Sequence, residues 1–282
     1  MNAIEIRDLS KQYPGFLLDH ISFDLPSGSI VGLVGKNGAG KSTTLKLIMN
    51  AIRKDSGRVT VLGMDNEDPR FGQLKQEIGV VLDDACFPEN LNSRQVGRVM
   101  ARTYRNWDDG EYRRLLSWLD LTDGKPFSAY SRGMKMKLAI AVALSHHPRL
   151  LILDEATSGL DPMVRDEVID VFNDFTRDED HSILLSSHIV SDLEKICDYI
   201  AFIHRGRLLL LEEKDRLLEE YAVARLTEAQ LADLPEDAVY GVKQGSYGSE
   251  VLVRRDAVAA AFPLERTTLE DIILFLARGD KE

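Results

Sequence analysis

Apolar positions along the chain fall into two textures. In the first, Ile21, Phe23 and Leu25 alternate with Ser22 and Asp24, a period of two that predicts a strand with one wet face. Residues 29–34 are then apolar nearly throughout and stop at Gly35, which predicts a strand buried on both faces. A helix follows from Lys41, with Leu45, Ile48 and Met49 along one side. Residues 59–62 and 78–82 read as further short strands.

From about residue 85 to 147 the second, helical texture takes over. Val96, Val99, Met100 and Tyr104 recur at helix spacing, 112–121 repeats the pattern, and 134–145 is a third amphipathic stretch. Strand texture resumes with 150–153 and 182–186, which flank a helix from about 163 to 176. Residues 199–204 and 207–211 form a hairpin around Arg205-Gly206. The pattern predicts an α/β domain over residues 1–212, with its core at 1–84 and 148–212 and a helical insertion at 85–147. Residues 213–282 read as a short helical link and a small α/β extension. In it, 239–242 pair with 250–253, and Thr268 caps a last helix over 269–277.

Composition removes several classes of partner. The chain has 282 residues with 35 Lys and Arg against 46 Asp and Glu, a net charge of −11. That balance disfavours binding through nucleic-acid phosphates, so no nucleic-acid partner is expected, and it disfavours adsorption to an anionic lipid surface. Cys86 and Cys197 form no CxxC and predict two reduced, packed thiols in a cytosolic protein. Glu5, Arg7 and Asp8 argue against a signal peptide. No apolar run approaches the ~20 residues that span a bilayer, so the polypeptide is expected to be soluble by itself.

The strongest chemical signal is Gly35-Lys36-Asn37-Gly38-Ala39-Gly40-Lys41-Ser42, a full match to G-x4-G-K-[ST] between a buried strand and a helix. The glycines let successive N–H groups point into one hollow that fits phosphate oxygens, and the helix N-terminus adds its positive end. Lys41 would meet the β- and γ-phosphates, Ser42 would ligate Mg²⁺, and Thr43 offers one more donor. A second element, residues 150–155, is an apolar strand ending in Asp154-Glu155. Asp154 suits the metal, and Glu155 suits polarisation of an attacking water.

With these residues the chain resembles the ATP-binding subunits of ABC transporters, over about residues 4–211. Tyr130-Ser131-Arg132-Gly133-Met134 stands at the place of that family's Leu-Ser-Gly-Gly-Gln signature. The resemblance implies that Ser131 and Gly133 close on the γ-phosphate bound by the other subunit of a head-to-tail dimer. Arg132 replaces the first signature glycine, Tyr130 the leucine and Met134 the glutamine. This form resembles the variant of ABC-2-type exporters, including those for peptide antibiotics and lipids. Ser158-Gly159-Leu160-Asp161 matches the family's D-loop, His188 its switch histidine and Tyr13 its adenine-stacking aromatic.

One departure stands out. Where the family has a glutamine that touches Mg²⁺ and the attacking water, the chain has Asp83, followed by Asp84. Asp83 can still offer oxygen to a metal, but an ionised carboxylate donates no hydrogen bond. Among other features, Arg94, Arg98, Arg102 and Arg105 share one helical face and read as solvated. His146-His147 reads as a frayed helix end and not as a metal pair. Thr267-Thr268-Leu269-Glu270-Asp271-Ile272 resembles the end of many exporter ATPase subunits.

The resulting expectation is an α/β P-loop NTPase (RecA-like) core with an antiparallel β portion, a helical ABC-specific subdomain and a small C-terminal α/β extension. The resemblance implies an ATPase that binds ATP and Mg²⁺ and powers a membrane transporter, more an exporter than an importer. Its implied partners are an integral-membrane permease on a separate chain and a second ATP-binding subunit, identical or paralogous. Its implied place is cytoplasmic, peripheral on the inner face of the membrane. The rival is a soluble ABC ATPase of repair, iron–sulfur assembly or the ribosome; such proteins carry a long coiled coil, a zinc module or a second ATP-binding domain, none of which the sequence shows.

Overall fold

Strands that must bury both faces and strands that bury one separate into different sheets. The computed structural model describes residues 1–83, 87–121, 124–235, 238–245, 248–258 and 263–279. The chain opens with β1 (Asn2–Tyr13), β2 (Phe16–Pro26) and β3 (Ile30–Val34), then α1 (Lys41–Ile48), β4 (Ser56–Val61), β5 (Met64–Asp65), the one-turn α2 (Phe71–Leu74) and β6 (Ile78–Val81). Three helices follow, α3 (Ser93–Thr103), α4 (Asp109–Trp118) and α5 (Arg132–Leu144). The chain returns through β7 (Leu150–Asp154), α6 (Pro162–Phe175), β8 (Ser182–Ser187), α7 (Val190–Ile196), β9 (Tyr199–His204) and β10 (Arg207–Glu213). It closes with α8 (Lys214–Glu220), β11 (Tyr221–Leu226), α9 (Glu228–Ala232), β12 (Val239–Gly245), β13 (Gly248–Arg254), β14 (Leu264–Glu265) and α10 (Leu269–Gly279).

The central sheet has the order β10-β9-β3-β8-β7-β6, parallel except for β10 on β9. Every residue of β3, β7 and β8 is buried, which is why these segments read as continuous apolar runs. Successive residues feed opposite faces. Leu151 and Leu153 join a cluster with Phe172 of α6 and Leu193 of α7, whereas Leu150 and Ile152 join one with Leu45 and Ile48 of α1. The second face is covered by the antiparallel sheet β2-β1-β4-β5, where Ile21, Phe23 and Leu25 point inward as their alternation requires.

Helices α3–α5 keep a core of their own, built on Val96, Tyr112, Leu115 and Leu138. Tyr112 donates its hydroxyl to the Ser93 carbonyl at 2.8 Å. Val99, expected to face inward, is 48% exposed. The buried residues of α3 are Ser93, Val96 and Gly97, a narrower stripe, because the Tyr112 ring lies directly against Gly97. Arg94, Arg98, Arg102 and Arg105 are exposed.

The frayed end expected at His146-His147 is wrong for His146, which is fully buried. Its ring stacks on Tyr104 with centroids 3.9 Å apart, and Nδ1 lies 3.1 Å from the Gln76 carbonyl, so Nδ1 carries the proton. Burial lowers its pKa to about 4.

After β10 the expected helical link is present as α8, but β11 was not read as a strand. It lies between β13 and β14 in the third sheet, β12-β13-β11-β14, where the 239–242 and 250–253 segments pair as expected. Thr268 caps α10, accepting from the Asp271 N–H at 3.1 Å. Leu269, Ile272 and Phe275 of α10 join the same apolar cluster as the central sheet. Cys197 is buried; Cys86, Asp84 and residues 246–247 lie outside the described residues. Among the described residues, no helix is long and apolar enough to cross a membrane.

Candidate nucleotide-binding site

The parallel register aligns four strand ends. Val34 pairs with Ser187, Asp154 with Ser186, and Val81 with Leu153. Gly35, His188, Glu155 and Asp83 therefore all emerge at the carboxyl edge of the sheet, where open α/β sheets take ligands.

From β3 the chain turns under close steric control. A Cβ on Gly35 would lie 2.3 Å from the Ile203 carbonyl oxygen, and one on Gly40, which has φ +118, would lie 2.8 Å from a Leu18 methyl. Only glycine fits at either position. Gly40 is the N-cap of α1 and supplies no side-chain cap, so the first-turn N–H groups remain free for an anion. Lys36, Asn37 and Gly38 form an exposed rim, Ala39 is buried, and Ser42 and Thr43 are half-buried on the first turn.

Lys41 is buried and donates to the Gly35 carbonyl at 2.6 Å. Its Nζ is 3.2 Å from Glu155 Oε1. Glu155, 9% exposed, has φ +53, a left-handed backbone that costs a non-glycine residue ~1–3 kcal/mol. Its N–H donates to the Ser186 carbonyl at 3.1 Å, and its Oε2 lies 2.7 Å from His188 Nδ1. The Glu155 carboxylate is thus held between an ammonium and an imidazole. Asp154, also buried, accepts from Ser186 Oγ at 2.5 Å.

Two buried oxygens beside these groups have no hydrogen-bond partner, Thr157 Oγ1 and Glu155 Oε1, the latter meeting Lys41 only as an ion pair. A buried carboxylate oxygen left with an ammonium alone, at the mouth of an uncapped helix start, can be completed by a polar ligand. Among the described residues, no cluster of three His, Cys, Asp or Glu could hold a metal by itself. The hydroxyl and carboxylate donors present fit a magnesium that shares its shell with phosphates and water.

Tyr13 ends β1 at the rim, 38% exposed, with Lys11 Nζ 5.6 Å from its ring centroid. The neighbouring Phe16 ring approaches Gly40, so this hairpin borders the 35–43 loop. The other expected residues stand apart. Ser131 is the exposed N-cap of α5, its Oγ accepting from Met134 N–H at 3.3 Å, with Gly133 half-buried two residues on. Asp161 caps α6 in the same manner, accepting from Val164 N–H at 3.1 Å. Among the described residues, no hydrogen bond or ion pair joins Ser131, Gly133 or Asp161 to residues 35–43. Asp83 is paired instead with Arg132 at 2.6 Å.

Sequence reading missed Ser186, whose only signal was a hydroxyl inside an apolar strand, and Thr157. The expected last helix, α10, carried no sign that it reaches this edge, yet its Glu270, Ile273 and Ala277 line a cavity of about 340 Å³ together with Lys36, Asn37 and His188. Residues this distant in sequence carry no local pattern that links them.

Comparison with known proteins decides the family. Residues 18–158 match the ABC transporter family. The lantibiotic transport ATP-binding protein SrtF of Streptococcus pyogenes is 33% identical over 217 residues, covering 75% of this chain and 91% of SrtF. The chain belongs to the ABC transporter family, among its ATP-binding proteins. The bacitracin transport ATP-binding protein BcrA of Bacillus licheniformis is 33% identical over 209 residues, 73% of this chain and 68% of BcrA. A solved ATP-binding subunit of an ABC transporter superposes with a TM-score of 0.69 at 29% identity, over 76% of this chain and 91% of that one. The ATP-binding cassette MJ0796, in a dimeric post-hydrolysis state with ADP and Pi, shares the fold with a TM-score of 0.66 at 20% identity, over 74% of this chain and 98% of that one. ABC transporter ATP-binding proteins are ATPases coupled to transport, and the rival non-transport reading is set aside.

Proposed function

We propose that this ABC ATPase is the motor of an exporter of peptide antibiotics or similar amphipathic molecules, acting as a pair of ATP-binding subunits around two Mg-ATP. In this reading, residues 1–212 are the ATP-binding domain with a helical subdomain at 85–147, and 213–282 are an extension specific to the subgroup. The observation that carries it is the Lys41–Glu155–His188 assembly, at the strand ends behind the uncapped start of α1. The lantibiotic and bacitracin transport names of its relatives support the exporter class.

Gly35, Lys36, Asn37, Gly38, Ala39 and Gly40 wrap the phosphates with backbone N–H groups, and Thr43 adds a donor. Tyr13 stacks on adenine. Ser42, Asp154 and Asp83 are the oxygen donors that would hold Mg²⁺, which when bound neutralises charge across the β- and γ-phosphates. Lys41 leaves Gly35 and Glu155 for the phosphates, because their charge exceeds that of the carbonyl it now binds. Glu155, released, takes the proton of the water that attacks the γ-phosphorus. The His188 N–H turns from Glu155 to the γ-phosphate and reports its loss. Ser131 and Gly133 come from the second subunit, and Asp161 lies at the seam. The exposure of Ser131 and the lack of any bond from it to the chain's own phosphate loop support this.

A chain of this kind acts at the inner face of the membrane through a permease that spans it, docked on the helical subdomain. The test is co-purification of the tagged full chain from native membranes after mild cross-linking. An integral-membrane protein with several ~20-residue apolar stretches is expected in stoichiometric yield; recovery without any membrane protein overturns the exporter reading.

A further inference from the structure

Two of the positions at which the chain departs from its family's pattern meet in space. Arg132, in place of a signature glycine, and Asp83, in place of the usual glutamine, are 49 residues apart. Nη2 of Arg132 donates to Oδ1 of Asp83 at 2.6 Å. The same side chain lies over the D-loop: a Cβ on Gly159 would be 3.2–3.4 Å from Cδ, Nε and Cζ of Arg132. One guanidinium therefore touches the loop after β6 and the loop after β7, and it is rooted in the first turn of α5.

Fold stability does not account for the pair. Its side chains are 57% and 47% exposed, and ion pairs so exposed contribute little to folding. A cation in the first turn of α5 is also disfavoured by the helix dipole, a cost that the Asp83 carboxylate offsets. Register sets Asp83 level with Glu155, each two residues beyond the paired Val81 and Leu153. The contact thus ties the start of α5 to the strand ends that carry the catalytic carboxylate.

We propose that Arg132 is a positioning residue. By holding Asp83 and covering Gly159, it fixes the start of α5 against the sheet edge, and so fixes how Ser131 and Gly133 meet the nucleotide of a second copy. This rests on the head-to-tail pairing proposed above. The two departures then form one compensated change: without Asp83, Arg132 would stand as an unpaired cation in the first turn of α5.

The test uses the full chain with Glu155→Gln, which is expected to bind Mg-ATP and to turn it over slowly. Light scattering gives the ATP concentration at half-maximal dimer, and a fluorescent ATP analogue gives affinity in the monomer. Arg132→Ala is expected to raise the half-dimer concentration ~5–20-fold, with analogue affinity within about threefold and an unchanged melting temperature. Arg132→Ala with Asp83→Ala should be no worse than the worse single variant. Arg132→Lys, which keeps a cation beside Asp83 and leaves Asp83 itself unchanged, should recover part of the loss. Losses that multiply in the double variant, or an Arg132→Ala chain that pairs like its parent, overturn the inference while leaving the dimer intact. A parent that binds the analogue but never pairs overturns the head-to-tail reading, and this inference with it.

Discussion

The carboxyl edge of the sheet and the start of α5 both present groups suited to phosphate, yet they are finished to different degrees. At the sheet edge Lys41, Asp154 and Glu155 are buried and their charges are met within the chain. At α5 the Ser131 hydroxyl faces solvent and serves only as its own helix cap. The first region is preorganised for chemistry and keeps its strain, the left-handed Glu155, in place by packing. In the proposed pairing, the second gains its function when another copy docks on it. A nucleotide site divided in that way would place chemistry in each copy and control in the contact between copies.

The largest effect should come from the finished half. Glu155→Gln is nearly isosteric, leaves Lys41 without its carboxylate, and removes the base. Phosphate release is expected to slow at least ~10²-fold, with ATP still bound and a Mg-ATP dimer accumulating. Turnover near wild type would show that the buried carboxylate is structural. Lys41→Ala removes a buried ammonium aimed at the phosphate hollow. Charge-assisted hydrogen bonds contribute ~1.5–3 kcal/mol each, so calorimetric titration should show nucleotide affinity lowered ~10–150-fold. Undiminished affinity would mean that the 35–43 loop does not hold phosphate.

The same contrast explains what the sequence disclosed. Residues 35–43 are contiguous, and β3, β7 and β8 are buried on both faces, so local pattern carried them. Strand β11 escaped because Tyr221, Ala222, Val223 and Ala224 form a short apolar run bounded by charged residues, and such runs fit a helix as well as a strand. The left-handed turn at Glu155, the Arg132–Asp83 pair and the approach of α10 to Lys36 and His188 depend on contacts between distant segments. No periodicity encodes those. His146 was misread for the same reason: its stacking partner Tyr104 and its carbonyl partner Gln76 belong to other segments.

His146 also tests how firmly the helices are fixed to the sheet, since it joins the segment after α5 to Gln76, two residues before β6. With Nδ1–H given to Gln76 and Nε2 buried without a partner, protonation adds a buried N–H with no acceptor. The folded pKa of about 4 lies below the ordinary 6.5. The unfolded chain therefore takes up the proton first on acidification. The contribution is fully present above pH 6.5 and is lost as pH falls from 6.5 through about 4. Its full size is roughly 3 kcal/mol. Urea midpoints measured across that range should fall more steeply for the wild-type chain than for His146→Phe, which keeps the stack and cannot titrate. Parallel curves would place the acid sensitivity elsewhere.

The smallest change separates the two uses of one hydroxyl. As the N-cap of α5, Ser131 is replaceable by Asp, an equally good cap, whereas Ala costs ~1 kcal/mol. As a donor to phosphate, Ser131 is not replaceable by Asp, because a carboxylate repels the anion that the hydroxyl would meet. Ser131→Ala should therefore lower the urea midpoint slightly, and Ser131→Asp should leave it nearly unchanged. In the Glu155→Gln background the order should reverse, with Ser131→Asp pairing worst on addition of Mg-ATP. If stability and pairing instead fell together in both variants, the start of α5 would be only a helix end, and the difference between the two regions would reduce to exposure.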